Sequence, residues 1–222
     1  MSDPPPGNDA FRVLGVDLAG PANPQETAMA IARSGGGRLA IETLRGDVAD
    51  ATLLDIVREL TSAATAPLVL GLDAPLSYQM GGGDRPGDRR LRAMVSAAGL
   101  RSGTVMAPTM TRMAYLTLRG VAISRMLAPL PKVRLVEVHP AAALVLRGAP
   151  VADVRELKRD AAARQRLAAW LAEAGVDGAE QASNDHELAA CAAALAAARW
   201  HEGRAVWLEP ARPPHHPFDY AA

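Results

Sequence analysis

The stretch FRVLGVDLAG, residues 11–20, is an apolar run of strand length that ends on an acid, Asp17. Two later stretches share this pattern, since Asp73 follows the apolar run of PLVLGLDAPL and Glu137 lies near the end of VRLVEVHP. A buried strand that stops at an acid places that acid at an edge of the sheet. If the sheet brings the three ends together, the acids repel one another unless a cation lies between them. Hard divalent ions such as Mg²⁺ prefer oxygen-rich sites of this kind.

The composition indicates one large domain. The chain has 222 residues, of which 49% are hydrophobic and only 4% aromatic, so its core must be built from Ala, Val and Leu. A single cysteine, Cys191, excludes an intrachain disulfide and a cysteine zinc site. The start MSDPPPGNDA does not resemble a secretory signal, and the apolar stretch 188–198 is too short to span a bilayer. We expect a cytoplasmic protein with no membrane partner; the sequence does not indicate an oligomeric state.

The net charge is zero, yet the basic residues are concentrated between positions 84 and 134, where ten of them face only two acids. Such a segment is either a surface that binds a phosphate backbone or a solvated helical surface. Its basic residues are Arg85, Arg89, Arg90, Arg92, Arg101, Arg112, Arg119, Arg125, Lys132 and Arg134.

The order of predicted elements sets the fold class. Periodicity and turn residues predict strands over 11–18, 25–33 and 38–45, a helix to about 63, a strand over 67–73, helices over 86–98 and 109–127, a strand over 132–139, and helices over 151–174 and 184–202. Residues 204–209 could add a short strand. Three antiparallel strands followed by alternating helices and strands predict an α/β protein with a mixed five-stranded sheet and helices on both faces. This is the element order of the ribonuclease H-like fold. We expect a disordered tail over 1–10, one domain over 11–208 and an irregular tail over 209–222.

Several short motifs resemble, in the same order, those of the DUF429 family, described as predicted nucleases with a ribonuclease H-like fold. Each motif alone is unspecific, but together they cover most of the chain. They are GVDLAG (15–20), LDAPLS (72–77), RPGDRRLR (85–92), APTMTRMAYLTLRG (107–120), VEVHPAAAL (136–144) and DHELAACAAALAA (185–197).

The resemblance implies a nuclease or phosphodiesterase that acts on nucleic acid or on a small phosphodiester. Ribonuclease H-like nucleases hold two Mg²⁺ or Mn²⁺ ions between carboxylates, one to activate water and one to stabilise the leaving oxygen. The central ligand sits on the first strand, which makes Asp17 the first candidate, and Asp73 on the fourth strand is the second. Arginines within the matching motifs are the expected phosphate-binding residues, although each also suits a helix surface: Arg85, Arg89, Arg112 and Arg119.

A third acid is expected from the last helix, at the position where this chain has Ala189. At about 100° per residue, Asp185 lies about 40° from Ala189, His186 about 60° and Glu187 about 160°. Asp185 is therefore the best replacement, as a catalytic and metal-binding acid. The alternative is that Asn184 and Glu187 form a capping box and that Asp185 interacts only with the helix dipole.

Glu137 and His139 form a further candidate pair, since alternate residues of a strand point to the same face. Glu137 is a candidate metal ligand, and His139 could orient a water molecule or act as a catalytic acid or base. The alternative is that His139 caps the following helix while Glu137 pairs with an arginine. Lys158, on a strongly charged predicted helix, is expected to be solvated.

Two rival functions remain at this point. The absence of an acid at Ala189 suits a nucleic-acid-binding protein that kept the fold and lost catalysis. Gly15 and Gly20 around Asp17 also suit a phosphate-binding turn, as in actin-like nucleotide phosphotransferases. Such enzymes need a second glycine-rich loop, for which Gly81–Gly83 is the candidate.

Overall fold

The structure, a computed structural model, describes residues 10–62 and 64–222. Its described part contains one sheet, with strand order β6-β3-β2-β1-β4-β5-β8-β7. The first three strands pair antiparallel, whereas β4, β5 and β8 follow β1 in parallel. The strands are β1 Phe11–Asp17, β2 Ala28–Gly35, β3 Arg38–Arg45, β4 Leu68–Asp73, β5 Val133–Val138, β6 Val176–Asp177, β7 Leu208–Glu209 and β8 Tyr220–Ala221.

The mixed α/β sheet with three antiparallel strands first is confirmed, but the predicted count of five strands is wrong. Three strands of two residues each, β6, β7 and β8, extend the sheet at its two edges. Strand β7 lies within residues 204–209, where the sequence suggests a short strand. Strands β6 and β8 are not predicted, because two residues carry no alternation.

The C-terminal segment over 209–222, expected to be irregular, ends inside the sheet. Tyr220 is buried, pairs in register with Glu137 of β5 and packs edge-to-face on Trp207 with ring centroids 4.9 Å apart. The predicted tail over 1–10 lies almost wholly outside the described residues.

Seven α-helices in the described part cover both faces of the sheet. The predicted helix over 151–174 is in fact two, because the Asp160 carboxylate accepts a hydrogen bond from the Ala162 N–H at 2.9 Å and starts a new helix. A short helix follows β5 and is capped by His139, as in the capping alternative stated above. The helices are α1 Asp50–Ser62, α2 Pro86–Ala97, α3 Thr111–Leu127, α4 Pro140–Leu146, α5 Val151–Glu156, α6 Ala161–Glu173 and α7 Asp185–His201.

Alternating residues of the strands divide the core into two layers. Val13 points to the face covered by α2, α4, α6 and α7, while its neighbour Leu14 points to the face covered by α1 and α3. Both layers consist mainly of Ala, Val and Leu, as the composition predicted.

Helix α7 lies unusually close to the sheet. Gly15 and Gly71 are register partners on β1 and β4, and both face this helix. A Cβ on Gly15 would lie 2.2 Å from the Ala190 carbonyl oxygen and 2.3 Å from the Ala194 nitrogen. Gly15 therefore serves the packing of an alanine-rich helix, and that helix brings its N-terminus to the end of β1.

None of the helices in residues 10–62 and 64–222 is long and apolar enough to cross a membrane.

Candidate active site

Asp17 and Asp73 are direct neighbours at the carboxyl ends of two parallel strands. They are register partners, and adjacent strands lie about 4.8 Å apart. Both side chains line an open cleft of about 420 Å³. The structure therefore places these two acids side by side, as the strand ends predicted.

Ionisation of both carboxylates at once is electrostatically unfavourable. Burial, the neighbouring Asp17 and, to a lesser extent, Glu137 raise the pKa of Asp73 well above its usual range. The positive charge of Lys158 acts in the opposite direction. A pair of acids with this property favours either a shared proton or a cation.

The N-terminus of α7 adds Asp185, His186 and Ala189 to the same cleft. His186 lies between two acids, with Nδ1 2.7 Å from Asp17 Oδ2 and Nε2 4.0 Å from Asp185 Oδ2. The hydrogen bond to Asp17 raises the pKa of His186. Ala189 faces the cleft, so this position has the orientation that the helix geometry predicted.

The capping interpretation of this helix also holds. The Glu187 N–H donates to Asn184 Oδ1 at 2.9 Å, and the Glu187 carboxylate accepts from the Ser183 N–H at 2.7 Å. Glu187 thus belongs to the N-terminal cap of α7, while Asp185 in the first turn faces the cleft.

Glu137 is buried in an ion pair rather than free in the cleft. Its Oε1 accepts from Arg85 at 2.5 Å, and its Oε2 accepts from Arg85 at 2.8 Å and from the Leu76 N–H at 2.9 Å. Burial alone would lower the pKa of Arg85, but Glu137 and Asp88 together raise it. This is the alternative stated above, in which Glu137 pairs with an arginine.

The same network engages Arg85 completely. Its Nε donates to Asp88, one terminal nitrogen donates to Ser77 and Glu137, and the other donates to Asp88 and Glu137. A guanidinium has five N–H groups, and these contacts use all of them. In this arrangement Arg85 neutralises Glu137 and cannot also bind a phosphate.

His139 uses both ring nitrogens within the fold. Nδ1 accepts from the Ala142 N–H at 3.4 Å, which caps α4, and Nε2 therefore donates to the Thr104 carbonyl oxygen at 3.1 Å. Burial lowers the pKa of His139, which keeps the ring neutral. The capping alternative is thus the one observed, although the ring still borders the cleft.

The other predicted phosphate-binding arginines lie outside the cleft. Arg119 is buried and donates to Asp50, to the Ala19 carbonyl oxygen and to the Thr27 hydroxyl, so it supports the loop after Asp17. Arg89 and Arg112 are exposed and are not among the described residues that line the cleft.

Further ion pairs reduce the positive surface predicted for residues 84–134. Arg90 pairs with Glu209 and Arg92 pairs with Asp84.

Two charged residues of the cleft lie in elements that differ from those the sequence predicts. Glu26 lies in a 3-10 turn at 24–26, where a strand was predicted. Lys158, expected to be solvated on a helix, lies instead in the turn between α5 and α6 and lines the cleft. The signal for Lys158 was the helix-capping Asp160, which marks the break.

Among the described residues there is no group of three or more His, Cys, Asp or Glu side chains that could hold a metal ion by itself. The candidate donors are the two neighbouring carboxylates, Asp17 and Asp73. Mg²⁺ is commonly bound through one or two carboxylates plus water and substrate phosphates, so a pair fits the ion when a substrate completes the site.

A model of one protein family matches residues 15–214, and its description is "Protein of unknown function (DUF429)". The matched range contains every acid and basic residue of the cleft described above. No curated protein and no solved structure matches the chain.

Proposed function

The chain belongs to the DUF429 family, and we propose that it is a divalent-metal-dependent nuclease or phosphodiesterase with Asp17 and Asp73 at its centre. The proposal includes a ribonuclease H-like fold, which the order of three antiparallel strands, helix, strand, helices and strand supports. It also includes Mg²⁺ or Mn²⁺ as the ion and a cytoplasmic location.

One observation carries the proposal. Asp17 and Asp73 are neighbours in register at the ends of parallel strands, and burial together with the neighbouring Asp17 raises the pKa of Asp73. A divalent ion between them would offset the repulsion between the two carboxylates. When bound, such an ion would activate a water molecule and stabilise negative charge on a phosphate.

The residues around this pair support it in distinct ways. His186 Nδ1 donates to Asp17 Oδ2 and so fixes the orientation of that carboxylate. Arg119 holds the loop after Asp17, and the Arg85–Glu137 pair fixes the end of β5 beside Asp73. Asp185, on the far side of His186, is the next carboxylate that could join the pair, as a second ion would require.

A cleavage screen tests the proposal. Single-stranded, duplex and branched nucleic acids and a chromogenic small phosphodiester would be incubated with Mn²⁺ and with wild type, Asp17→Asn or Asp55→Asn. Asp55 is an exposed acid of α1 and serves as the matched control. We expect Asp17→Asn to lose activity by about 100-fold or more, which corresponds to about 3 kcal/mol of transition-state stabilisation. Equal activity of wild type and Asp17→Asn would refute the assignment.

One rival is supported by specific observations. Ala189 faces the cleft at the position of the expected acid, and Glu137 is neutralised by Arg85. These features suit a nucleic-acid-binding protein without catalysis. In that case nucleic acid would bind with no cleavage, and millimolar Mn²⁺ would leave the melting temperature unchanged.

Of the glycines that favour the phosphotransferase alternative, only Gly20 lines the cleft. Gly15 is explained by the packing of α7, and Gly81–Gly83 are not among the described residues that line the cleft.

A further inference from the structure

The cleft is strongly acidic, although the proposed substrate is an anion. Six carboxylates line it, and two of them, Asp88 and Glu137, are paired with Arg85. The other four come from separate elements of the chain: Asp17, Glu26, Asp73 and Asp185. A phosphodiester that approaches these groups is repelled unless positive charge also faces it. The cation between the carboxylates would meet part of this need, and a basic side chain of the protein is the natural complement.

Most basic side chains at the cleft are already engaged. All five N–H groups of Arg85 donate to Ser77, Asp88 and Glu137. Both ring nitrogens of His139 are used for the cap of α4 and for the Thr104 carbonyl oxygen. His186 is bound to Asp17.

Lys158, in contrast, has an ammonium group that is not engaged by the described part of the protein. It lies in the turn that separates α5 from α6, its side chain is exposed, and it lines the cleft. In the described part of the chain it makes no hydrogen bond and no ion pair through its ammonium group. Its charge nevertheless reaches Asp73, because it lowers the pKa of that carboxyl against the opposing effects of burial and Asp17.

We propose that Lys158 is the phosphate-binding residue of this cleft, and that a substrate phosphate lies between its ammonium group and the Asp17–Asp73 pair. This inference rests on the proposed function. Lysine suits the role because its ammonium group is a compact charge on a flexible stem with three rotatable donors, and it is a common phosphate ligand in proteins. The helix break at Asp160 contributes to this role, because it places Lys158 in a turn at the cleft rather than within a continuous helix.

The sequence offers a clean labelling test, because Lys158 and Lys132 are its only lysines. Lys132 donates to the Ala64 carbonyl oxygen and is not among the residues that line the cleft. Full-length protein would be acetylated with an amine-reactive ester, with and without a saturating phosphorothioate dinucleotide in Mn²⁺, and the two sites quantified by peptide mass spectrometry.

We expect the dinucleotide to slow acetylation of Lys158 by at least about fivefold, while Lys132 reacts at an unchanged rate. Equal protection of both lysines, or protection of neither at a concentration where binding is seen by calorimetry, would overturn the inference. Failure of the dinucleotide to bind at all would overturn it as well.

Kinetics separate this inference from the proposed function. Lys158→Ala should raise KM by about tenfold or more, the usual effect of losing one charge-assisted hydrogen bond, with a smaller change in kcat. Lys158→Arg should recover part of the loss, and Arg159→Ala, an exposed neighbour in the same turn, should match wild type. If cleavage depends on Asp17 but Lys158→Ala equals wild type, only the role of Lys158 fails. If no cleavage depends on Asp17, the proposed function fails.

Discussion

Replacing Gly15 by alanine tests whether the close packing of α7 on β1 requires a glycine at this position. The added Cβ would lie 2.2 Å from the Ala190 carbonyl oxygen and 2.3 Å from the Ala194 nitrogen. Ordinary contact begins at roughly 3.5 Å, so the helix would have to retreat by roughly 1 Å. Both opposing atoms belong to the backbone, and no rotation of a side chain can relieve the clash.

The expected cost follows from this geometry. Overpacking a core usually costs about 1–3 kcal/mol of unfolding free energy, and a clash with backbone on both sides belongs at the upper end. For a chain of this length each kcal/mol lowers the melting temperature by about 2–4 °C. We therefore expect Gly15→Ala to melt roughly 6–12 °C below wild type, measured by circular dichroism without metal.

Gly20→Ala is the matched control, because Gly20 belongs to the same GVDLAG motif and its Cβ would meet nothing within 4 Å. This variant should differ from wild type by less than about 0.5 kcal/mol. A retreat of α7 would also carry Asp185 and His186 away from Asp17, so Gly15→Ala should lose Mn²⁺-dependent activity below its melting temperature. The reasoning is refuted if Gly15→Ala and Gly20→Ala melt within 2 °C of each other.

Three further predictions concern single side chains. The pKa of Asp73 is raised in the folded state, so its negative charge lowers the free energy of unfolding above that pKa. This loss of stability vanishes below the ordinary aspartate pKa of about 3.9. Asp73→Asn should therefore raise the melting temperature of the metal-free protein at pH 7, by a difference that shrinks towards pH 4. Glu137→Gln should cost about 3 kcal/mol in urea unfolding, because it leaves part of the buried Arg85 charge uncompensated; a cost below 1 kcal/mol would mean that the pair is unimportant. Burial raises the pKa of Cys191 to about 12, so a disulfide reagent at pH 8 should react with it only after unfolding; rapid labelling of the native protein would contradict its place in the core.

The sequence predicted the long elements of the fold because their periodicity is strong. The strand over 38–45 and the parallel strands that end at Asp17 and Asp73 lie where the pattern put them. The pattern failed where elements are very short, as in the two-residue strands β6 and β8. It also failed at Asp160, where one capping carboxylate outweighs the helix propensity of its neighbours.

The site was predictable to the extent that it depends on strand ends. Asp17 and Asp73 met because parallel strands align their carboxyl ends, and helix geometry correctly turned Asp185 and Ala189 towards the cleft. The roles of arginines were not predictable, since Arg85 and Arg119 find buried acceptors contributed by distant parts of the chain. Such long-range partners leave no local signal in the sequence.

Binding of Mn²⁺ is the most direct test of the claim that Asp17 and Asp73 together form a cation site. The free ion would be followed by electron paramagnetic resonance while wild type, Asp17→Asn, Asp73→Asn and Asp55→Asn are titrated, with and without the phosphorothioate dinucleotide. We predict that wild type and Asp55→Asn bind the ion equally, more tightly with the dinucleotide, and that each of the other variants binds at least about tenfold more weakly, a difference of about 1.4 kcal/mol. Equal affinity in all four proteins would contradict the claim.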